Sequence, residues 1–509
     1  MDRVDIQMVS IWTDTVNVNP MYHFVRQRTS ELLKPEINRR LMNSGYPVIP
    51  SQSVNADVMR YQKLYPYAPA LFALAAVLEN NYSIGCIALD AEKEKRNHSN
   101  WLEETALEMS FCTNLAVFIS FVTPETDRML DFCHRIKKHN SEVIIVVGGV
   151  HATYYSADLM KSDCIDFVII GEGEETVTEL MNAIKSKQNY ASIRGLAYRE
   201  NGEVLFSKPR NQMTCIENLP IPAYHFIDSY TAKRILFTPT FSRGCPLGCD
   251  YCAESHFWNK TLRHKDPIRF VDELELLNKK YNQSVIHIAD STFGLDIDKL
   301  DRLCTELEKR KLDCLFSINA RPDLFTYLNE KRVARLMKLN FFEIYIGAES
   351  ASQEVINTLH RVQTNDILLN TLSKLKQMEF PIVKLYLMIG APGDNHTSMQ
   401  LTMKLVRKLL ENDLILYATT RFFVPTPGTP LFDCDKFNTS RWSEYDRYNF
   451  PPLYNVSELS DIELDCYLIM LQNLQMNYYL NQMPTHIRKE HRSALADYVN
   501  STYQKQTYF

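Results

Sequence analysis

The chain of 509 residues has no run of eighteen apolar residues, so no membrane-spanning helix is expected. A surplus of positive charge is missing too. Its 56 Lys and Arg against 61 Asp and Glu leave a formal net charge of −5, which argues against a general nucleic-acid binder, whose affinity would rest on a basic surface. The opening residues, Met-Asp-Arg-Val-Asp, lack the basic-then-apolar pattern of a secretion signal, and a cytoplasmic location is expected. Nor do the cysteines read as a disulfide framework. Nine of the twelve are scattered, at 86, 112, 133, 164, 215, 304, 314, 434 and 466, in the manner of small buried hydrophobes in a reducing compartment. The shares of 45% hydrophobic and 23% charged residues are those of a globular protein, and the length predicts two or three domains.

The other three cysteines stand together in Phe241-Ser-Arg-Gly-Cys-Pro-Leu-Gly-Cys-Asp-Tyr-Cys252. Cys245, Cys249 and Cys252 form a Cys-x3-Cys-x2-Cys array, and three thiolates so close bind one metal centre from a single loop. Gly244 and Gly248 let the backbone wrap that centre. Thiolate is a soft ligand that suits an iron–sulfur cluster or zinc. Zinc would need a fourth ligand, for which His256 is available; buried structural thiols are a third reading, against which two glycines and a proline weigh. In a [4Fe-4S] cluster, three cysteines leave one iron open to an outside ligand. The spacing Cys-x3-Cys-x-aromatic-Cys, with Tyr251 as the aromatic, resembles the radical S-adenosylmethionine (SAM) superfamily. That resemblance implies that Cys245, Cys249 and Cys252 hold a [4Fe-4S] cluster, with Tyr251 beside the SAM. SAM would chelate the open iron and be cleaved reductively to a 5′-deoxyadenosyl radical.

Upstream, strands alternate with helices. Strands are predicted at about 5–12, 83–89, 115–121, 143–147 and 167–170, with helices at about 68–78, 100–110, 125–139 and from 175. This alternation predicts a doubly wound, Rossmann-like parallel sheet, whose ligands bind beyond the carboxyl ends of the strands. Residues 13–60 show no clear period and read as an insertion. Three strand-end loops stand out: Ser120-Phe-Val-Thr123, Gly148-Gly-Val-His-Ala-Thr153 and Gly171-Glu-Gly-Glu174. Each alone is compatible with an ordinary strand-to-helix turn. Together they resemble the cobalamin-binding domain found ahead of radical SAM domains, over about residues 65–190. The resemblance assigns Ser120, Thr123, Gly148, Gly149, Val150, His151, Gly171, Glu172 and Gly173 to cobalamin. The Asp-x-His-x-x-Gly motif that supplies a lower cobalt ligand in many cobalamin proteins is not in the sequence. Base-off cobalamin without a histidine ligand is therefore expected, with His151 bonding cofactor or backbone.

Residues 191–228 read as a linker, with a hairpin at Arg199–Phe206 and a proline-broken stretch at 219–224. Beyond the cysteine loop the alternation resumes, with strands at 284–289, 314–320, 342–347, 382–389 and 418–424 and helices between them. With a strand ahead of the loop, this gives six βα units, the partial (β/α)6 TIM-like barrel expected of a radical SAM domain over 229–432. Gly347-Ala-Glu-Ser350 and Gly390-Ala-Pro-Gly393 resemble SAM-contacting segments of that family and nominate Glu349, Gly390 and Pro392. Asn319 and Arg321 end the preceding strand, where a guanidinium suits the SAM carboxylate; Asp290, at another strand end, is a contact for SAM or substrate. Pro425-Thr-Pro-Gly-Thr-Pro-Leu431 resembles a rim segment of cobalamin-linked and methylthiolating members. Residues 433–509 read as a small, mostly helical cap over the substrate, with a helix at 461–480.

The resemblance implies a methyltransferase. The radical would abstract hydrogen from an unactivated carbon of a small-molecule or peptide substrate, and the substrate radical would take a methyl group from methylcobalamin, which a second SAM regenerates. An electron donor such as flavodoxin or ferredoxin would be the partner. A cyclase, ring-contracting or rearranging enzyme with the same cofactors, and a non-catalytic cobalamin or metal sensor, are the alternatives.

Overall fold

The computed structural model of the protein describes residues 3–11, 20–46, 69–228, 237–432 and 454–483, with 232 and 485. The expected insertion outside 20–46, and residues 433–453, 484 and 486–509 of the expected cap, lie outside these. The described residues fall into two compact units. The first draws on 3–11, 69–314 and 425–432, the second on 20–46, 315–424 and 454–485.

The first unit is built on a seven-stranded sheet in the order β2-β1-β3-β4-β5-β6-β7. Five strands are parallel: β1 (Val4–Ser10), β2 (Ile84–Ala88), β3 (Thr113–Ser120), β4 (Ile144–Gly148) and β5 (Phe167–Ile169). β6 (Leu196–Glu200) and β7 (Glu203–Phe206) extend it antiparallel, so the hairpin expected in the linker is part of this sheet. Alternate residues feed two cores. Val117 and Ile119 pack on the side of the helices Trp101–Cys112 and Thr126–His139, while Ala116 and Phe118 pack on the side of Pro69–Leu78 and Glu174–Ser186. The strand order reverses between β1 and β3, the position at which doubly wound sheets open a crevice. Register keeps that rim level: Ser10 lies beside Ser120, and Ser120 beside Gly148.

The same unit carries the cysteine loop. Its entry is a two-stranded ribbon, β8 (Ser242–Arg243) antiparallel to β9 (Arg263–His264), followed in the chain by the helix Pro267–Tyr281 and β10 (Val285–Ile288). Ahead of the loop, 237–240 form extended chain rather than a ladder strand. The Pro239 carbonyl accepts from the Ala289 N–H (2.9 Å), but a proline has no N–H to continue the pairing.

The second unit holds four parallel strands in sequence order, β11 (Leu315–Ala320), β12 (Phe341–Glu349), β13 (Ile382–Ile389) and β14 (Tyr417–Phe422), with helices in each connection. Side-chain N-caps start these helices, among them Asn329, Thr364 and Asn395. The helix expected at 461–480 runs Asp461–Gln482 and packs along β14 and along the helix Pro20–Asn43, the regular part of the expected insertion. The Gln475 carboxamide accepts from Ala418 N (2.7 Å) and donates to Ala418 O (3.0 Å), and Tyr479 Oη donates to Leu416 O. The described part of the expected cap thus closes a sheet edge whose backbone would otherwise be unpaired. Beneath the strand ends, Lys384 and Glu343 form a fully buried ion pair, with Lys384 also donating to Tyr345 Oη (3.2 Å).

Candidate active site

A cavity of about 490 Å³ opens at the carboxyl ends of the first unit's strands. Ser10 and Ile11 follow β1, Ser120 to Val122 follow β3, Gly148 to Val150 follow β4, and Gly171 to Glu174 follow β5; all line it. Its other wall comes from the entry to the cysteine loop, Ser242, Arg243 and Gly244, with Phe257 and Trp258 beyond the cysteines. Most lining side chains are aliphatic, aromatic or glycine, the composition that suits a bulky organic ligand.

Of the residues expected to face cobalamin, Ser120, Gly148, Gly149, Val150, Gly171, Glu172 and Gly173 line this cavity. Gly149 has φ 111°, and a side chain there would also press on the Phe121 carbonyl at 3.4 Å. Thr123 and His151 stand behind the wall. The His151 ring is buried, stacked on Tyr155 at 5.1 Å, with Nδ1 3.1 Å from Thr123 Oγ1. Burial pushes its pKa down to about 4, so the imidazole is neutral near pH 7. Glu172 lines the cavity but its carboxylate is drawn into the protein. It accepts from Arg243 Nη1 (3.0 Å), Arg263 Nη1 (2.7 Å) and the Met213 N–H (2.9 Å).

The cysteine loop is anchored residue by residue. Asp290 accepts from Phe241 N (2.7 Å), Ser242 N (3.0 Å) and Ser242 Oγ (2.7 Å). Burial raises the Asp290 pKa to about 6 in spite of these donors. The residue nominated as a SAM or substrate contact is thus the anchor of the loop's first turn. Arg243 reaches Glu172 and Glu174, and Gly244 (φ 94°) passes so near the Thr261 carbonyl that a Cβ would stand 2.2 Å from it. Cys245 is buried, Cys249 and Cys252 are half-buried, and Tyr251 is half-buried between them. Burial pushes the Cys252 thiol up to about 11. Among the described residues no three His, Cys, Asp or Glu side chains are gathered at metal-holding distances, these cysteines included. Three soft donors on one eight-residue loop nevertheless fit a thiolate-held cluster. His256 Nε2 lies 3.2 Å from the Cys249 carbonyl, which occupies the ring nitrogen that zinc coordination would compete for.

In the second unit, Glu349 ends β12 with φ 58° just after a register shift against β13, a costly conformation for a residue with a side chain. Its carboxylate pairs with Arg361 Nη1 at 2.5 Å, while Arg361 also donates to the Gly347 carbonyl (2.7 Å). Arg321 is held by Asp323 through two bonds of 2.6 Å, so its guanidinium already has a carboxylate partner. Asn319 is half-buried one strand from Tyr345. The Gly390-Ala-Pro-Gly393 loop is fixed by Asp394, which accepts from Gly390 N (2.9 Å), Ala391 N (3.2 Å) and Ser398 Oγ (2.7 Å); Thr358 Oγ1 donates to Pro392 O (2.7 Å). The ion-pair roles of Glu174, Arg243, Arg263 and Arg361 and the anchoring role of Asp290 are not legible in the sequence, although Glu174 ends the third strand-end loop, Arg243 lies in the cysteine stretch and Asp290 ends a strand.

Comparison with known proteins places both halves. Residues 58–181 match the model of the B12 binding domain, and residues 240–406 match that of the Radical SAM superfamily. The chain is 29% identical over 317 residues to an uncharacterized methyltransferase of Pyrococcus horikoshii, covering 61% of this chain and 67% of the relative. It is 25% identical over 391 residues to the anaerobic magnesium-protoporphyrin IX monomethyl ester cyclase of Rubrivivax gelatinosus, covering 73% and 68%. The radical SAM methyltransferase TsrM from Kitasatospora setae, solved with cobalamin and a [4Fe-4S] cluster bound, shares the fold: TM-score 0.57 at 15% identity, over 85% of this chain and 77% of that one. Among the described residues no helix is long and apolar enough to cross a membrane. With a B12 binding domain followed by a radical SAM domain, the chain belongs to the cobalamin-binding group of radical SAM enzymes.

Proposed function

We propose that the protein is a cobalamin-dependent radical SAM methyltransferase acting on an unactivated carbon of a small-molecule or peptide substrate. The observation that carries this reading is a cavity walled by the β3, β4 and β5 loops on one side and by Ser242–Gly244 on the other. Bound there, cobalamin is the methyl carrier, and the cluster with SAM is the source of the radical. Cys245, Cys249 and Cys252 hold the cluster; Tyr251, Asn319, Arg321, Glu349, Gly390 and Pro392 are the candidate SAM contacts. Gly148, Gly149 and Ser120 would hold the cobalamin, and the apolar lining would exclude water. Exclusion matters because a primary radical attacks any neighbouring C–H bond. His151 is buried outside the cavity lining with Nδ1 3.1 Å from Thr123 Oγ1, which supports a cofactor without a histidine ligand. In this reading residues 1–190 bind cobalamin, 191–228 link, 229–432 cleave SAM and 433–509 cover the substrate. A flavodoxin- or ferredoxin-type protein in the cytoplasm supplies the electron.

Turnover with methyl-labelled SAM tests the reaction type. Label in the product is expected; a product without label favours cyclisation or rearrangement, the second reading, which the cyclase relative supports with its 73% coverage of this chain. No cleavage of SAM by the reduced protein would leave a sensor.

A further inference from the structure

Four ionised groups bridge the two walls of the cavity. Arg243, immediately before Gly244-Cys245, donates to Glu172 (3.0 Å) in the loop that follows β5 and to Glu174 (2.5 Å), which opens the next helix. Arg263, paired with Arg243 across the β8–β9 ribbon, donates to the other oxygen of Glu172 (2.7 Å) and to the Met213 carbonyl (2.7 Å). The Glu172 side chain is only 4% exposed, Glu174 8%, Arg263 9% and Arg243 16%. Both guanidinium groups also lie over the Trp258 ring, at 5.9 and 5.1 Å. Desolvating two carboxylates and two guanidiniums is expensive, and an apolar cluster of similar volume would stabilise such a contact as well or better. What charges add is a fixed geometry, since a fork of N–H donors accepts its carboxylates in few orientations.

We propose that Glu172 and Arg243 are positioning residues that lock the cysteine loop to the loop after β5, and so set the separation of cluster and cobalamin. The inference rests on the reading that these two loops hold those cofactors. The contact joins residues about seventy positions apart and is made by the residue two before the first cluster cysteine. A shift of the β5 loop is therefore passed to Cys245 through one rigid guanidinium. Replacing Glu172 by glutamine keeps the shape but leaves two buried cations short of one charge.

Two measurements on the full chain test this. The first is hydrogen exchange on the protein without cofactors. Glu172→Gln and Arg243→Met should speed exchange of the 244–249 amides about tenfold, while the helix Ile297–Arg310 is unchanged; Arg243→Lys should fall between. Glu174→Gln, which removes only one acceptor, is the milder variant if Glu172→Gln does not fold. Unchanged exchange at 244–249 in all folded variants overturns the lock. The second is the EPR spectrum of reduced, cobalamin-loaded protein. Magnetic coupling between cob(II)alamin and the reduced cluster, compared per bound cluster and per bound cobalamin, should be weaker or more dispersed in the variants. Coupling identical to that of the unsubstituted protein overturns the positioning role. If the unsubstituted protein takes up no cobalamin, the functional reading fails instead, while the exchange experiment still decides the lock.

Discussion

The strand ends of the two units both pair buried carboxylates with arginines, but only the second does so from left-handed backbone. Around the first unit's cavity, Glu172 and Glu174 turn to Arg243 and Arg263, and most of the lining is glycine and apolar side chains. In the second unit, Glu349 stays at the strand end in a left-handed conformation, with Arg361 beside it. In the first unit the pairs join two loops that wall the cavity; in the second the pair holds the end of β12, with Arg361 also bonded to the Gly347 carbonyl. Strain at Glu349 and desolvation at Glu172 are both costs of position, spent on different tasks.

The most severe break is at the cluster. Alanine at Cys245, Cys249 or Cys252 should abolish iron incorporation, assayed by iron content, and all SAM cleavage, while cobalamin uptake persists. Next is Asp290. Alanine strands two N–H groups and a hydroxyl and should cost about 3 kcal/mol in denaturant unfolding. Asparagine, which retains the acceptor for both N–H groups, should cost less than half of that and spare the cluster.

Acid sharpens the contrast between two buried groups. The folded pKa of His151, about 4, is below the usual 6.5, so its contribution is full above pH 6.5 and is lost as pH falls toward 4, by up to about 3 kcal/mol. The folded pKa of Asp290, about 6, is above the usual 3.8, so burial of the ionised form weighs most above pH 6 and is relieved as pH falls toward 4. The two trends oppose each other. Relative to the unsubstituted protein, His151→Phe should therefore gain stability at pH 5 against pH 7, and Asp290→Asn should lose it, by chemical denaturation at each pH. At Glu349, glutamine keeps shape and removes charge; SAM affinity should fall about tenfold with cobalamin affinity unchanged, by titration calorimetry. The smallest effect is expected at Gln475→Leu, which frees one edge residue of β14 and should cost about 1–2 kcal/mol without touching either cofactor.

Much of this was legible in the sequence because it is local. The cysteine spacing, the glycine pair at 148–149 and the alternation that fixed β1 to β5 and β11 to β14 are patterns within a few residues of each other. The helix Pro20–Asn43 was not, since its pattern is broken around Pro35 and it is stabilised by packing on Asp461–Gln482, more than four hundred residues away. The partners of Glu172, Asp290 and Glu349 were hidden for the same reason. A strand-end carboxylate reads the same whether it faces a ligand or an arginine, and only the fold decides which cation is near. Likewise the helix read as a mouth cap lies on a strand edge, because Gln472, Gln475 and Tyr479 answer polar groups of residues 416–418 that sequence alone does not pair with them.

The most direct test is the EPR spectrum of the anaerobically reconstituted protein, reduced and loaded with cobalamin. The account predicts cob(II)alamin without nitrogen superhyperfine splitting, magnetically coupled to a reduced [4Fe-4S] cluster across the shared cavity. Nitrogen splitting, or two signals that do not sense each other, would contradict it.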